Sequence, residues 1–323
     1  MSHQISGSRL NNHRLKQGQY MHLKSAVHRL GSATITQVRE LDPWIVNPRT
    51  WFPTITNDQL AAARTRYPAV LHGNGQMVCV VSTYVVQLGD KVIVIDTGIG
   101  NNKSRPGEPD MNMLDTDYLN RLVHNGFDPA RVDIVINTHL HPDHCGWNTR
   151  WLNEEWVPTY PNARYLFHRV EVDHLRALTA TVEDGHGGAL FSNLYTDSVE
   201  PIIRQARWGL VAPEDIIADC NGTTVIAVNA PGHTPGHLAV EISDGSQTFL
   251  MTGDAFHHPL QLDFPDLPMF ADADTPTASR TRADLLNRCA TGGTRLLTSH
   301  FRLCFPIGVK QNHQGGFRWT AQF

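Results

Sequence analysis

The sequence predicts an α/β fold in which two β-sheets stack face to face and helices cover their outer sides. Three observations predict it. Branched, strand-type runs come in two groups, over residues 77–138 and 223–254, with a last run at 294–300. Helical segments at 116–124, 171–180 and 277–290 interleave with them, a pattern that suits stacked sheets better than one parallel sheet. The chain of 323 residues is 41% hydrophobic, enough for one large core, and shows no internal repeat.

Taken in order, residues 1–30 carry five basic side chains and no Asp or Glu. This stretch is expected to be a flexible basic arm, leaving 31–323 as a single domain. Residues 41–70 hold Trp44, Trp51 and Phe52 among four prolines and read as ordered but irregular. MVCVVSTYVVQL (77–88) and KVIVIDTG (91–98) form two strands around the tight turn Gly89-Asp90, the first alternating and the second buried throughout. A short helix at 116–124 stops at Asn125-Gly126, and the buried strand VDIVINTH delivers His139 at its carboxyl end. RYLFH is the next strand and EVDHLRALTA a helix. Residues 181–215, Gly-rich and then amphipathic, with Phe191 and Trp208, read as a lid or insertion. TTVIAVNA, HLAVEIS and TFLMTGD are strands, TASRTRADLLNRCA is a helix, and TRLLTSH is the final strand.

Composition excludes several classes. A net charge of −4 gives no general polyanion-binding surface, so nucleic acid is not an expected partner. No apolar run is long enough to cross a bilayer and no signal-type segment follows Met1, so no membrane association is expected. The five cysteines (Cys79, Cys145, Cys220, Cys289 and Cys304) are odd in number, and no two have CxxC spacing. They fit reduced thiols and a cytoplasmic location. Histidine is the unusual count, at 18, and imidazole is the side chain that binds transition metals and moves protons near neutral pH.

At the end of the strand over 132–138 the chain reads THLHPDHCGWN, placing His139, His141, Asp143 and His144 within six residues. A loop of this spacing can splay alternate side chains onto two neighbouring ions. Further metal-competent residues sit where other strands end: His233 in APGHTPGH, Asp254 in TFLMTGD and His300 in TRLLTSH. Alone, each of these three is more simply a turn or cap residue. Four strand ends that all deliver such residues make the stronger observation.

Over roughly residues 77–305 the chain resembles the metallo-β-lactamase-fold hydrolases. The shared pieces are Asp96 in VIVIDTG, H-x-H-x-D-H at 139–144, GHTPGH at 232–237, GD at 253–254 and SH at 299–300. INTHLHPDHCGW, GDAFHHPLQ and the tail SHFRLCFPIGVKQNHQGGFRW are most similar to the methyl parathion hydrolase and N-acyl homoserine lactonase-like groups. The resemblance implies an αββα sandwich of two mixed sheets flanked by helices. It also implies one ion held by His139, His141 and His233, a second held by Asp143, His144 and His300, and Asp254 bridging them. Asp96 would orient a ligand, and His237 would sit behind the site. Trp147 follows Cys145-Gly146 where many relatives carry a second glycine, and His257-His258 adds imidazoles without an assigned role. Asp254 in place of cysteine, together with His144, argues against a true β-lactamase.

Nitrogen and carboxylate donors without thiolate suit Zn²⁺, Mn²⁺ or Fe²⁺, with zinc the first expectation. Two such ions would make hydroxide available at neutral pH for attack on a carbonyl or phosphoryl centre. Asp143 and Asp254 are candidates for proton handling as well as ligation. Trp147, Phe256, Phe264 and Phe270, with Leu260 and Met269, are expected to line an apolar pocket, and Trp44, Trp51 and Phe52 could fold over it. The first reading is therefore a dinuclear hydrolase of a small apolar lactone or related ester. The alternatives are a phosphotriesterase, a glyoxalase II-like thioesterase, a mononuclear iron dioxygenase or a non-catalytic binding module. If the aromatic segment after the arm mediates assembly instead, the protein would be a homodimer.

Overall fold

The computed structural model describes residues 25–72, 75–180, 189–303, 306–311 and 316–320. Strands are β1 (Ala26–Leu30), β2 (Ala33–Val46), β3 (Met77–Leu88), β4 (Lys91–Ile95), β5 (Ile134–Ile136), β6 (Thr149–Leu152), β7 (Glu155–Pro158) and β8 (Arg164–His168). They continue with β9 (Arg207–Val211), β10 (Ile216–Cys220), β11 (Thr223–Asn229), β12 (Leu238–Ser243), β13 (Thr248–Met251), β14 (Thr294–Leu297), β15 (Gly308–Gln311) and β16 (Phe317–Thr320). Helices are α1 (Pro48–Trp51), α2 (Asn57–Arg66), α3 (Tyr118–His124), α4 (Pro142–Cys145), α5 (Arg169–Ala180), α6 (Ala189–Leu194), α7 (Glu200–Gln205), α8 (Leu260–Asp263) and α9 (Thr275–Ala290).

Seven strands form one sheet in the order β1-β2-β3-β4-β5-β8-β9, and five form a second in the order β10-β11-β12-β13-β14. Both are mixed. The pairs β4/β5, β5/β8, β8/β9 and β13/β14 are parallel and the other pairs are antiparallel. Between the sheets lies a core that includes Ile35, Val86, Ile93 and Ile136 from the first and Val225, Val240, Ile242 and Met251 from the second. The outer face of the first sheet packs on α3 and α5 through Val94, Val135, Tyr118, Leu122, Val172 and Leu175. The outer face of the second packs on α9 through Ala239, Leu250, Leu285 and Leu286. These four layers are the expected αββα sandwich.

Several expectations need correcting. Ala26–Leu30 is an edge strand paired antiparallel with β2, so the arm ends earlier than residue 30; its first 24 residues lie outside the described residues. The irregular segment begins with the second half of β2 and contains α2, whose start carries a reciprocal cap between Thr56 and Gln59. β2 escapes a pattern reading because Thr36, Gln37, Arg39, Glu40 and Asp42 are buried polar residues, and its pairing with β3 is offset twice between Arg39 and Trp44. β3 does not alternate. It is buried at every position but Gln87, because its two faces are covered by different cores, whereas β4 starts exposed at Lys91. The expected lid at 181–215 is replaced in part by regular structure. Residues 181–188 lie outside the described residues, α6 leads through a π-helical turn (Tyr195–Val199) into α7, and β9 is the edge of the first sheet.

Candidate metal centre

Five loops at the carboxyl ends of strands meet at one edge of the sandwich. Asp96 follows β4, His139 to His144 follow β5, His233 follows β11, Asp254 follows β13 and His300 follows β14. Packing holds the loops in place. Gly146, in the HCGW stretch, has no room for a side chain, since a Cβ there would stand 1.7 Å from the Ile99 carbonyl oxygen. Gly253 adopts φ 49° beside the His237 ring, a left-handed conformation that glycine allows freely. The buried Glu171 carboxylate accepts from Leu140 N (3.1 Å) and Gly236 N (2.8 Å), tying the His139 loop to the His233 loop.

The candidate ligands form two groups that share Asp254. His139, His141, His233 and Asp254 have donor atoms within 4.8 Å of one another, and so do Asp143, His144, Asp254 and His300. Asp254 divides its oxygens between them. Its Oδ2 lies 3.4 Å from His233 Nε2 and 3.8 Å from His139 Nε2. Its Oδ1 lies 2.9 Å from His300 Nε2 and 3.1 Å from His144 Nε2. Asp143 Oδ2 stands 3.5 Å from His300 Nε2 and 3.6 Å from His144 Nε2. Donor bonds of about 2.1 Å in a tetrahedral arrangement put donor atoms roughly 3.4 Å apart, the size of the separations between these pairs. His139 Nε2, His144 Nε2 and Asp254 Oδ1 are buried and lack any hydrogen bond of acceptable geometry. Buried polar atoms are normally satisfied, and a cation at each group would satisfy these three.

The far side of each ring explains its aim. His144 Nδ1 lies 2.9 Å from Asp96 Oδ2, and Asp96, at φ 56°, also accepts from Thr138 N at 2.7 Å. His139 Nδ1 lies 3.1 Å from Thr138 Oγ1, His233 Nδ1 lies 3.2 Å from Asp272 Oδ1, and His300 Nδ1 donates to the Val80 carbonyl at 2.9 Å. With these nitrogens engaged, each Nε2 faces the centre. His141 instead presents Nδ1, 2.9 Å from His233 Nε2. His237 donates from Nδ1 to Ala230 O and accepts the Asp254 backbone N–H at Nε2, both at 2.9 Å, so it fixes the backbone of the shared carboxylate.

Charge follows the same arrangement. Burial and repulsion from His144 and His141 hold His139 well below the usual histidine range, and burial with His233 does the same to His141. Burial and His233 push His237 down to about 3, which suits its acceptor role. Burial pulls His144 down too, but Asp254, Asp143 and Asp96 outweigh it and raise it. Asp254 resists the upward push of burial because His144, His300 and His257 hold it ionised.

Of the expected pocket residues, the structure brings some to the site and not others. A cavity of about 410 Å³ opens over the two groups, walled by Trp44, Trp51, Met111, Phe191, Met269 and Phe270, with Glu108 and His257. Trp147 is not among its lining residues. It is buried, stacks on Tyr118 with ring centroids 5.4 Å apart, and donates to Glu40 Oε1 at 2.7 Å. Phe256 is fully buried behind the site among Ala255, Leu262 and Leu286, because it turns to the α9 side of its sheet. Phe264 packs on the cluster of Phe52, Leu260 and Leu267, so Phe52 and Leu260 are core residues as well. His257 does reach the pocket, with Nε2 3.1 Å from Asp254 Oδ2 and its ring 5.8 Å from Trp51. His258 instead accepts from Leu260 N at the start of α8.

Sequence reasoning missed Asp272, Glu171 and Glu40. Asp272 pairs with the buried Arg282 at 3.2 Å, and although burial raises its pKa, the bond to His233, with His257 and Arg282, holds it at about 2. Glu40 accepts from Ile99 N, Gly100 N, Thr116 Oγ1 and Trp147 Nε1, ordering the loop after β4. Only the alternation of acids in ADAD (271–274) could have hinted at Asp272.

An αββα sandwich with two His/Asp groups at the ends of its strands is the arrangement of a metal-binding hydrolase fold. The family profile of the metallo-beta-lactamase superfamily matches residues 77–300, and the chain belongs to that superfamily. Among curated proteins it is 28% identical over 178 residues to the N-acyl homoserine lactonase AttM of Rhizobium johnstonii, covering 54% of this chain and 60% of that protein. It is 27% identical over 190 residues to a probable metallo-hydrolase of Mycobacterium tuberculosis, covering 55% of this chain and 57% of that one. The chain thus spans less than two thirds of the length of these relatives. Among solved structures it is similar to AidC, described as a dizinc quorum-quenching lactonase, with a TM-score of 0.74, 20% identity and coverage of 93% and 97%. The hydrolase AbOPH gives a TM-score of 0.73 at the same identity and coverage. Among the described residues no helix is long and apolar enough to cross a membrane.

Proposed function

We propose that this protein is a dinuclear metal-dependent hydrolase acting on a lactone or related ester with an apolar arm. The observation that carries the reading is the pair of ligand groups sharing Asp254, with unsatisfied buried donor atoms, at the floor of an apolar cavity. His139, His141 and His233 would hold one ion, Asp143, His144 and His300 the other, with Asp254 between them and zinc the first candidate. Two bound divalent ions supply Lewis-acid polarisation of a carbonyl oxygen and lower the pKa of water towards neutrality.

The chain's own residues do the remaining work. Trp44, Trp51, Met269 and Phe270 bury an apolar arm and exclude water from the reacting carbonyl. Asp143 lines the cavity, where its carboxylate can take a proton and pass it to the leaving alkoxide. Asp254 serves chiefly to join the two groups, since both its oxygens face imidazoles. Among the described residues no Lys or Arg lines the cavity, which favours an uncharged ester over an anionic thioester carrier. The lactonases among the relatives and fold neighbours agree with this choice.

The test is metal quantification on the purified protein coupled to hydrolysis assays on lactones, aryl esters, phosphotriesters and thioesters. Two ions per chain and fastest turnover of lactones are expected. One iron with oxygen consumption, or a metal-loaded protein that hydrolyses none of these, would overturn the reading.

A further inference from the structure

The loop between Gly98 and Leu114 walls two cavities. Glu108 and Met111 face the one over the ligand groups, whereas Asn102, Ser104 and Met113 face a second of about 500 Å³, completed by Trp151, Trp156 and Asn193. The two have no lining residue in common, and nothing in the proposed hydrolysis uses the second. Its volume falls within the roughly 300–1,000 Å³ of small-molecule sites.

Its aromatic wall is held in place by other contacts. Trp151 and Trp156 stand directly opposite each other across the β6/β7 hairpin, whose two-residue turn has Asn153 at φ 51° and Glu154 at φ 67°, the left-handed pair of a tight hairpin turn. At the start of the hairpin Thr149 Oγ1 accepts from Lys103 Nζ at 2.8 Å and donates to the Asp197 carbonyl. At its end Gln205 Nε2 donates to the Trp156 carbonyl at 3.2 Å. Trp151 is nonetheless 49% exposed. An indole fixed from below and left half open suits a binding platform better than a core.

Charge and shape narrow what fits. Among the described lining residues Asp197 is the one charged side chain, and the buried Arg105 and Lys103 already engage it at 2.6 and 3.4 Å. Two cations against one anion behind the wall repel a cationic ligand, and Lys103 Nζ, 3.8 Å from the Trp156 ring centroid, closes one face of that ring. An anionic ligand meets no lining Lys or Arg. The Asn102 amide, the Ser104 hydroxyl and both indole N–H groups make no hydrogen bond with a described residue and are free for an uncharged polar ligand. The two indoles meet at 63° with centroids 5.1 Å apart, forming a corner and not a slot. A flat aromatic ligand stacks on only one of them. A saturated ring carries C–H groups on its face and its edge, and these pack against the negative faces of both.

We infer that this cavity is a second ligand site, for a neutral pyranoside: Trp151 and Trp156 take the C–H face of the sugar, and Asn102, Ser104 and Asn193 bond its hydroxyls. Such binding is independent of the hydrolase reading, since no residue of the two ligand groups takes part.

Ligand-observed saturation-transfer NMR and calorimetry on the metal-loaded protein test this with methyl β-glucopyranoside, cellobiose, indole, choline and glucose 6-phosphate. The two neutral sugars are expected to bind with a dissociation constant on the order of 1 mM, to receive saturation at their ring C–H protons, and to bind more tightly than the other three. Trp151→Ala, at an exposed hairpin position, weakens sugar binding about tenfold with an unchanged circular dichroism spectrum. Asn102→Gly, which keeps the positive-φ backbone, weakens it several-fold. Phe270→Ala, in the cavity over the ligand groups, leaves it unchanged. No sugar binding, undiminished binding in Trp151→Ala, or tighter binding of indole, choline or glucose 6-phosphate would each overturn the inference. Loss of sugar binding in Phe270→Ala would put the sugar in the other cavity and overturn it as well.

Discussion

His144 and His233 show how single acceptors aim a metal-type imidazole. Each has a carboxylate at its Nδ1, Asp96 at 2.9 Å and Asp272 at 3.2 Å. Such outer partners fix ring orientation and raise ligand basicity, and losing one typically costs 10–100-fold in metal affinity. Asp96→Asn and Asp272→Asn are therefore each expected to weaken one ion by about 10–100-fold and leave the other close to its original affinity. Competitive chelator titration of each variant checks this, and two equally weakened ions in both variants would contradict the assignment of separate groups. Asp96 was legible in the sequence because VIVIDTG resembles a known motif. Asp272 was not, because a lone acid in a loop looks the same whether it faces water or a ring. Aromatics near the motifs were equally ambiguous. Phe256 and Phe270 are both near Asp254 in the chain, yet one faces α9 and the other the cavity.

At the scale of elements, the loop from Gly98 to Leu114 matters most, because it carries Glu108 and Met111 to the cavity. Glu40 on β2 anchors one end of it, and Lys103 and Arg105 anchor its middle to Asp197. Lys103 is buried beside the Trp156 ring, 3.8 Å from its centroid, and donates to Thr149 Oγ1. Burial lowers its pKa to about 8, with Arg105 adding to the effect and Asp197 opposing it. A folded pKa below the unfolded one means that the unfolded chain binds more protons between the two values. Stability contributed by this group therefore rises as pH climbs from about 8 towards 10.5. Compared with Lys103→Met, the wild type should gain about 2 kcal/mol between pH 8 and 10. Urea unfolding of both proteins across that range reads the difference, and a constant gap would show that Lys103 titrates alike in the folded and unfolded chains. None of this clamp was visible in the sequence, where basic residues in a Gly/Pro-rich loop give no sign of burial.

Over the whole molecule, the sandwich was legible because most strands are continuous apolar runs that end in turns, whereas β2 was hidden by its buried polar residues. The packing also bears on what metal removal would do. The ligands come from both sheets and converge at one end, so bound ions would cross-link the sheets there. The rest of the inter-sheet core, from Leu30 and Ile35 through Val240 to Phe249, does not involve the site. The chelated protein should therefore stay folded, unlike a small metal domain that lacks a core of its own. Ligand linkage gives about 2.7 kcal/mol for each ion present at a hundred times its dissociation constant. With two ions, and about 2 °C of Tm per kcal/mol for a chain of this size, stripping the metal should lower Tm by roughly 10 °C. Far-UV circular dichroism at 25 °C should be nearly unchanged, and adding zinc back should restore Tm. An unmoved Tm would count against resident metal. Loss of the dichroism signal at 25 °C would show that the two sheets depend on the ions and not on the core between them.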